Sequence, residues 1–289
     1  MARVREFLEL VRAPNSLMMG AAVAVALAVA GRWDLTVIGD LIIWAPLAGV
    51  MVAALVMITN DIVDLPVDRV NAPWRPLPSG SITIQGALIL ALAASWTGLA
   101  FSAMAGVVTV ISFIAAGGLG VAYNFHLKRT GLPGNITVAL LVASPFIYAS
   151  VALGRVDELA LIFSVMIFLS VLAREVVKGI PDVEGDARVG VKTLAVVLGP
   201  RAASRVAGAL YMVAVAASLL PPARGLVNEL YTIPVILLDA VMVFESLKLM
   251  ARTPSREEAL RHKDRVLLYM MIALVALALG SMPGVEVIG

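Results

Sequence analysis

The sequence contains no cysteine, which excludes disulfide bonds, thiolate metal sites and cysteine nucleophiles together. Its two histidines, His126 and His262, are far apart along the chain and cannot build a multi-histidine zinc site. Any metal ion must therefore be bound by oxygen ligands. Charged residues are also scarce, at 15% of the chain, and the net charge of +2 gives no indication of nucleic-acid binding.

Hydrophobic side chains dominate instead, at 61% of the 289 residues. A chain of this size has too little polar surface left to cover a water-soluble globule, so its solvent must be lipid. Backbone groups in the bilayer core find no water to bond, and only helices or closed barrels can span it. Because the apolar runs are long and do not alternate with polar residues, the sequence predicts an all-α integral membrane protein.

Nine apolar stretches approach the length of about 20 residues that a membrane span requires. They cover residues 16–31, 38–60, 83–103, 105–127, 135–153, 158–178, 202–221, 229–249 and 266–283. The third and fourth stretches are separated only near Ser102–Gly106. We therefore expect about nine transmembrane helices around a central cavity.

The N-terminal residues carry three arginines, Arg3, Arg5 and Arg12, ahead of the first apolar stretch. This arrangement superficially resembles a secretory signal peptide. The apolar residues among the arginines have helical, amphipathic spacing, which is not typical of a short basic cap. We interpret the segment as an interfacial turn that leads into the first membrane helix.

Lysines and arginines are distributed very unequally between the two sides of this nine-helix topology. Of the 22 basic residues, all but Arg32, Arg155 and Arg224 fall on the side of the N-terminus. Because basic residues accumulate in cytoplasmic loops, we expect a multi-pass cell-membrane protein with a cytoplasmic N-terminus.

The polar stretches between the apolar segments are each too short for an independent core, so residues 1–289 are expected to form one membrane-embedded domain. An acidic cluster that begins at Asp61 recurs at Asp182. This recurrence suggests two similar halves, roughly 1–130 and 131–289, that face one cavity.

The first acidic cluster contains Asn60, Asp61, Asp64 and Asp68. On a helix these positions share a face, where three carboxylates repel one another unless a cation offsets them. Oxygen ligands of this kind suit Mg²⁺, which is usually held by carboxylates together with substrate phosphates. Pro66 breaks or kinks helices, so we expect Asp68 to come from the following loop. The alternative interpretation is an ordinary solvated cap or loop.

The second acidic cluster contains Asp182 and Asp186, with Lys178 four residues before Asp182. We interpret it as a second metal site beside a phosphate-binding lysine. Two such clusters would let metal ions bridge a pyrophosphate from both sides and neutralise the charge that grows as a C–O bond breaks. A solvated loop is again the alternative.

Further polar residues on the predicted cytoplasmic side are candidates for binding substrate. Lys128 and Arg75 could hold phosphate oxygens, and Tyr123 could donate a hydrogen bond. Arg12 and Asn15 flank Pro14 and could help to hold an acceptor. The alternatives are a topology signal for the basic residues and a helix cap for the last two.

These residues resemble the signatures of the UbiA superfamily of intramembrane prenyltransferases. The resemblance rests on NDxxDxxxD at Asn60–Asp68, DxxxD at Asp182–Asp186 and RPxPSG at Arg75–Gly80, and it extends from Arg12 to the ninth apolar stretch. One departure is Gly179-Ile180-Pro181, where a more acidic linker is expected. The resemblance implies a nine-helix horseshoe around a central cavity, a cytoplasmic polar cap and a hydrophobic portal for the prenyl chain.

Within this superfamily the chain looks most like the branch that transfers a geranylgeranyl group to geranylgeranylglyceryl phosphate in archaeal ether-lipid synthesis. The resemblance implies Mg²⁺ as cofactor and a prenyl diphosphate as donor. The implied catalytic acids are Asp61, Asp64, Asp68, Asp182 and Asp186, which with Asn60 bind metal, and the implied substrate ligands are Arg12, Asn15, Arg75, Tyr123, Lys128 and Lys178.

Two alternatives for the activity remain open from the residues. The acceptor could be aromatic, such as 4-hydroxybenzoate or a quinone precursor, because Arg12 and Lys178 would serve either kind of acceptor. A cation-coupled transporter would also use intramembrane acids, although it predicts them near the bilayer midplane rather than at helix ends. A CDP-alcohol phosphotransferase is disfavoured because its DGxxARxxG signature is missing.

Overall fold

The computed structural model describes residues 2–188 and 190–284; the side chain of Arg3, one of the N-terminal arginines considered above, lies outside the description. All regular structure within these residues is helical. The helices are α1 Ala2–Leu10, α2 Ala13–Ala30, α3 Leu35–Ile38, α4 Leu41–Asn71, α5 Ile84–Ala105, α6 Val107–Phe125, a 3₁₀ turn Leu127–Arg129, α7 Leu132–Ala152, α8 Glu158–Lys178, α9 Val183–Arg188, α10 Leu194–Leu198, α11 Pro200–Ser218, α12 Leu220–Ala223, α13 Glu229–Ala251 and α14 Arg256–Gly280.

Each of the nine apolar stretches corresponds to one of the longer helices. Eight helices among the described residues are long and apolar enough to cross a membrane. The ninth stretch lies in α14, whose first turns carry the charges of residues 256–265 and leave a shorter apolar part. The all-α, multi-pass membrane fold is confirmed, while the count of nine spans and the orientation of the N-terminus stay predictions.

Helix boundaries follow local chemistry that is visible in the sequence. Gly106 separates α5 from α6 at a φ of 117°, a conformation that side-chain-bearing residues rarely adopt. The predicted break near Ser102–Gly106 is therefore correct. Thr83 caps α5 by accepting a hydrogen bond from the Gly86 amide, and Asp157 caps α8 by accepting one from Ala160.

Helix α4 is longer than its apolar stretch and carries the whole first acidic cluster. Its 31 residues extend over roughly 46 Å, which exceeds the bilayer core thickness of about 30 Å. The expected break at Pro66 is wrong, because α4 continues through this residue to Asn71. Pro66 is exposed and lies beyond the apolar part of the helix. Asp68 is therefore helical.

The described residues form two compact units, of which the first comprises Met1–Leu27 and Thr36–His126. In this unit α4 packs against α5 and α6. Glycines permit the close approach: a Cβ on Gly98 of α5 would lie 2.3 Å from the Phe113 ring of α6, and one on Gly120 of α6 would lie 2.4 Å from Val56 of α4.

The second unit comprises Ala28–Leu35 and Leu127–Gly289. Its helix α8 packs against α7 and α11, and α13 packs against α11 and α14. The segment Ala28–Leu35 belongs here because the Arg155 guanidinium donates to the Ala30 carbonyl and Trp33 Nε1 donates to Ser281 Oγ at 3.1 Å. The boundary at residues 126 and 127 lies close to the one expected between similar halves, although one duplicated domain stays a prediction.

Two polar residues, the half-buried Asp239 and the buried His262, connect helices within the second unit. Asp239 of α13 accepts a hydrogen bond from Ser218 Oγ at 2.6 Å, which gives this intramembrane carboxylate a partner on α11. His262 of α14 lies 3.1 Å from the Tyr211 hydroxyl of α11 and 3.6 Å from Glu245 of α13, so this buried ring has polar partners on two other helices.

Candidate active site

The first acidic cluster occupies the last turns of α4 in the first unit. Asp61 and Asp68 are buried, with 4% and 8% of their surface exposed, and Asp64 is half-buried. Asn60 Nδ2 donates to Asp64 Oδ2 at 2.9 Å, four residues further along the helix. The helical spacing of three and four residues therefore places these four side chains along one face, as the sequence predicts.

Two arginines neutralise the buried carboxylates of this cluster. Arg12, in the turn between α1 and α2, places Nη2 2.7 Å from Asp61 Oδ1. Arg75, in the proline-rich loop after α4, places Nη1 2.6 Å from Asp68 Oδ2. Buried carboxylates require such charge-assisted partners because burial removes their hydration. Both arginines, which the sequence identified as candidates for substrate binding, thus contact acids of the first cluster.

The other candidates in this unit lie at neighbouring helix ends. Asn15 is exposed on the first turn of α2, where it lines, with Arg5 and Arg12, an open groove of about 910 Å³ that is otherwise mostly apolar. Tyr123 is half-buried near the end of α6. Glu9 also lines the groove and pairs with Arg5 at 3.2 Å, so both guanidinium groups of the groove already have carboxylate partners.

The second acidic cluster surrounds the short helix α9 in the second unit. Asp182 is exposed just before α9, and Asp186 is half-buried within it. Burial, followed by the nearby charge of Asp182, raises the pKa of Asp186, while a hydrogen bond with the Thr193 side chain lowers it. The nearest basic partner of Asp182 is Arg256, at 3.9 Å. A cation at this pair would relieve the repulsion between the two carboxylates.

The two lysine candidates are both exposed and lie in the second unit. Lys128 is in the 3₁₀ turn after α6. Lys178 ends α8, and its Nζ lies 2.9 Å from Glu175 Oε2. Glu175 is only 6% exposed and also contacts Arg174, at 2.8 Å. The lysine expected beside Asp182 is thus held by a buried carboxylate one turn earlier on its own helix.

The first cluster fits magnesium in the chemistry of its donors. Asn60, Asp61, Asp64 and Asp68 supply only oxygen ligands, and they lie along one helical face. Within residues 2–188 and 190–284, no three acidic or histidine side chains are gathered closely enough to enclose a metal ion. Two of the carboxylates contact arginines instead. A bound cation would therefore replace Arg12 and Arg75 as the positive charge that neutralises these carboxylates.

This exchange of partners predicts a magnesium-dependent stability change in Arg75→Gln. Without Mg²⁺ the variant should lose about 1–2 kcal/mol of stability, because Asp68 stays buried while its charged partner is gone. Added Mg²⁺ should restore most of the loss by supplying the missing positive charge. Melting temperatures of wild type and variant in detergent, with Mg²⁺ and with EDTA, measure both effects.

The matched control for this experiment is Arg5→Gln. Arg5 pairs with Glu9 at 3.2 Å on the exposed surface of α1, and its loss should leave the melting temperature unchanged in both buffers. A deficit in Arg75→Gln that is equally large with and without Mg²⁺ would show that the ion does not replace Arg75 at Asp68.

Comparison with known proteins identifies the family. The sequence pattern of the UbiA prenyltransferase family matches residues 17–275 of the chain, and these residues include both acidic clusters. The chain belongs to the UbiA prenyltransferase family. Membership makes the chain one of the prenyltransferases and confirms the resemblance seen in its motifs.

Relatives within the UbiA family extend over most of the chain. The digeranylgeranylglyceryl phosphate synthase of Sulfolobus acidocaldarius is 32% identical over 280 residues, which cover 96% of this chain and 98% of that protein. The enzyme of the same name from Pyrococcus abyssi is 34% identical over 223 residues, 77% of this chain and 78% of that protein.

Solved structures of UbiA proteins show the same fold. One, from work on digeranylgeranylglyceryl phosphate synthase in membranes, has a TM-score of 0.77 at 26% identity and covers 98% of this chain and 99% of the other. A UbiA homologue from Archaeoglobus fulgidus, bound to GPP and Mg²⁺, has a TM-score of 0.63 at 17% identity and covers 94% and 99% of the two chains.

Two residues at the candidate site of this UbiA protein were missed by reasoning from the sequence. Glu175 holds Lys178, and its spacing of three residues from the lysine on a helix was a usable signal. Asn124, next to Tyr123, is buried against α4. No local pattern points to Asn124, because its partners lie 65 and 68 positions earlier in the chain.

Proposed function

We propose that the chain is a Mg²⁺-dependent prenyltransferase that transfers a geranylgeranyl group from geranylgeranyl diphosphate to geranylgeranylglyceryl phosphate. The observation that carries the proposal is the row of buried carboxylates with arginine partners at the end of α4. The choice of acceptor is supported by the full-length similarity to a synthase named for the diether phosphate product.

In this proposal each polar residue has one of two roles. The oxygen ligands for Mg²⁺ are Asn60, Asp61, Asp64, Asp68, Asp182 and Asp186. The groups that contact phosphate oxygens or the acceptor are Arg12, Asn15, Arg75, Tyr123, Lys128 and Lys178. Bound Mg²⁺ supplies positive charge that offsets the charge of the leaving diphosphate.

The proposed reaction exchanges one C–O bond for another. The bond between C1 of the prenyl group and the diphosphate breaks, and the diphosphate keeps the electron pair, which leaves an allylic cation. The free hydroxyl of the acceptor forms the new ether bond to C1 and releases its proton. Arginine and lysine side chains stabilise the phosphate oxygens through charge-assisted hydrogen bonds.

Water must be kept from the cation, because hydrolysis would otherwise consume the donor. The apolar residues of α4 that precede Asn60 are suited to this task, since they hold the prenyl chain in a lipid-like environment while the carboxylates stay at the polar helix end. Acids at the end of a helix also favour an enzyme over a transporter, whose acids are expected near the midplane.

We also propose that the acidic clusters face the cytoplasm of a cell membrane. The support comes from the lysines and arginines, nearly all of which fall on the side of the proposed active site. The water-soluble cofactor, Mg²⁺, and the water-soluble product, diphosphate, would then exchange with the cytoplasm.

A product assay tests the proposed activity. Purified full-length protein is incubated with labelled geranylgeranyl diphosphate, Mg²⁺ and either geranylgeranylglyceryl phosphate or 4-hydroxybenzoate, and the extracted lipids are analysed by mass spectrometry. We expect the diether phosphate as the preferred product, and we expect EDTA to abolish its formation because the leaving diphosphate then lacks the ion that offsets its charge.

Each other outcome of this assay contradicts part of the proposal. A prenylated aromatic product would replace the phosphorylated acceptor and leave the prenyltransferase in place. An intact donor with both acceptors would overturn the catalytic assignment. Substrate counterflow in sealed vesicles without any product would favour a transporter.

A further inference from the structure

The side chain of Asn124 joins α6 to α4 in the first unit. It is 3% exposed, and its amide Nδ2 donates to the Val56 carbonyl and to Thr59 Oγ1, each at 2.9 Å. Thr59 Oγ1 in turn lies 2.9 Å from the Leu55 carbonyl, to which it donates. Both hydrogens of the Asn124 amide group are therefore used on a single turn of α4.

This turn of α4 immediately precedes the first acidic cluster. In an α-helix the carbonyl of Val56 also accepts the hydrogen bond from the amide of Asn60. Asn124 thus binds the peptide group that sets the position of the first metal-ligand candidate. A displacement of this turn would move Asn60, Asp61 and Asp64 together, because they follow it on the same continuous helix.

Two glycines allow a side chain as short as that of asparagine to reach the α4 backbone. Gly117 and Gly120 lie seven and four residues before Asn124 on the same face of α6. A Cβ at Gly117 would contact Val52 at 3.4 Å, and one at Gly120 would meet Val56 at 2.4 Å. The helix backbones approach closely here, as small residues permit.

Asn124 also follows Tyr123 directly in the chain. The hydrogen bonds that hold Asn124 on α4 therefore fix the end of α6 that carries a proposed phosphate ligand. The metal-ligand candidates and Tyr123 are positioned against each other by one buried amide.

We infer that Asn124 is a positioning residue that sets the register of the first acidic cluster against the end of α6. In this role it acts through the backbone of α4, to which its amide donates. This inference rests on the proposed function, because the cluster and Tyr123 have their roles only in that reaction.

The test replaces Asn124 by leucine, which has a similar volume and no hydrogen-bonding group. In full-length Asn124→Leu we expect the Mg²⁺ concentration for half-maximal prenyl transfer to rise by about 10- to 100-fold, as is typical when residues that orient metal ligands are lost. A second readout needs no turnover: calorimetric titration of Mg²⁺ in the presence of inorganic pyrophosphate should show a shift of similar size.

Gly98→Ala is the control for a purely structural effect. Its new Cβ would collide with the Phe113 ring at 2.3 Å, so it should destabilise the same unit. Phe113 lies roughly 16 Å along α6 from Asn124, calculated from the rise per residue. We expect a lower melting temperature in this variant with the Mg²⁺ dependence of the wild type.

Thr59→Val tests the same contact from the other helix. It removes one of the two acceptors of the Asn124 amide, and we expect a smaller shift in the same direction. In the double variant the shift should not exceed that of Asn124→Leu alone, because both changes break the same contact. If Asn124→Leu cannot be purified in a folded form, Thr59→Val alone tests the inference.

The possible results separate this inference from the proposed function. A wild-type Mg²⁺ dependence in folded Asn124→Leu and Thr59→Val would overturn the positioning role. An equal shift in Gly98→Ala would overturn it as well, because the effect would then be general loosening. If the wild-type protein transfers no prenyl group, the proposed function fails, whereas the titration with pyrophosphate still tests Asn124.

Discussion

Replacing Asp64 by asparagine should reduce prenyl transfer by more than about 100-fold, since the loss of residues that only orient metal ligands already costs 10- to 100-fold. Asparagine matches the size of aspartate and can still interact with Asn60, whose Nδ2 lies 2.9 Å from Asp64 Oδ2. It removes only the negative charge that is needed to hold Mg²⁺. Steady-state rates over a range of Mg²⁺ concentrations measure the effect.

Expression and extraction into detergent should be unchanged in Asp64→Asn, because the residue is half-buried and no packing is lost. The matched control is Asp40→Asn. Asp40 is exposed at the opposite end of the same helix and makes no side-chain hydrogen bond to the first turn. Full activity of Asp64→Asn at saturating Mg²⁺ would remove this residue from the metal site.

Replacing Gly131 by alanine should strongly destabilise the second unit. Gly131 has a φ of 75°, and a Cβ there would lie 1.8 Å from the carbonyl oxygen of Lys192. The backbone at Lys192 must therefore move, in addition to the conformational strain at residue 131. We expect a loss of about 3 kcal/mol or more, from a strained conformation together with overpacking.

Movement of the backbone at Lys192 should also change the second acidic cluster. Thr193, which follows Lys192, hydrogen-bonds the Asp186 side chain. In Gly131→Ala, any protein that still folds should therefore bind Mg²⁺ more weakly at this cluster. The yield of monodisperse protein and its melting temperature measure stability, and titration with Mg²⁺ measures the second effect.

Gly154→Ala separates the two causes of this destabilisation. Gly154 has a φ of 64°, but a Cβ there would have no atom within 4 Å. The Gly154→Ala variant should therefore lose only the stability that the conformational strain costs, about 1 kcal/mol. Equal melting temperatures for the two variants would show that the contact with Lys192 contributes nothing.

The membrane class and the helices were predictable from the sequence because they depend on local properties. A run of about 20 apolar residues requires a helix in lipid, wherever its neighbours lie. The positive φ at Gly106 likewise follows from the residue type and its position between two apolar runs. Pro66 misled the prediction, because proline can kink a helix without ending it, and α4 continues through this residue.

The shared helical face of Asn60, Asp61, Asp64 and Asp68 was also predictable, because these residues are related by the period of one helix. The long-range partners of this part of α4 were not predictable. Arg12 lies 49 positions before Asp61, and the amide of Asn124 lies 68 positions after the carbonyl that it binds. Such pairs form only when helices pack, and no local spacing encodes them.

The sequence by itself determined that this protein is helical, spans a membrane and carries two clusters of acidic side chains, because composition and helical periodicity suffice for each of these. Only the tertiary structure decided that arginines neutralise Asp61 and Asp68 and that Asn124 anchors α4. The physical reason is burial. A carboxylate or amide removed from water must be paired, and the packing of the helices decides which of many polar side chains is within reach.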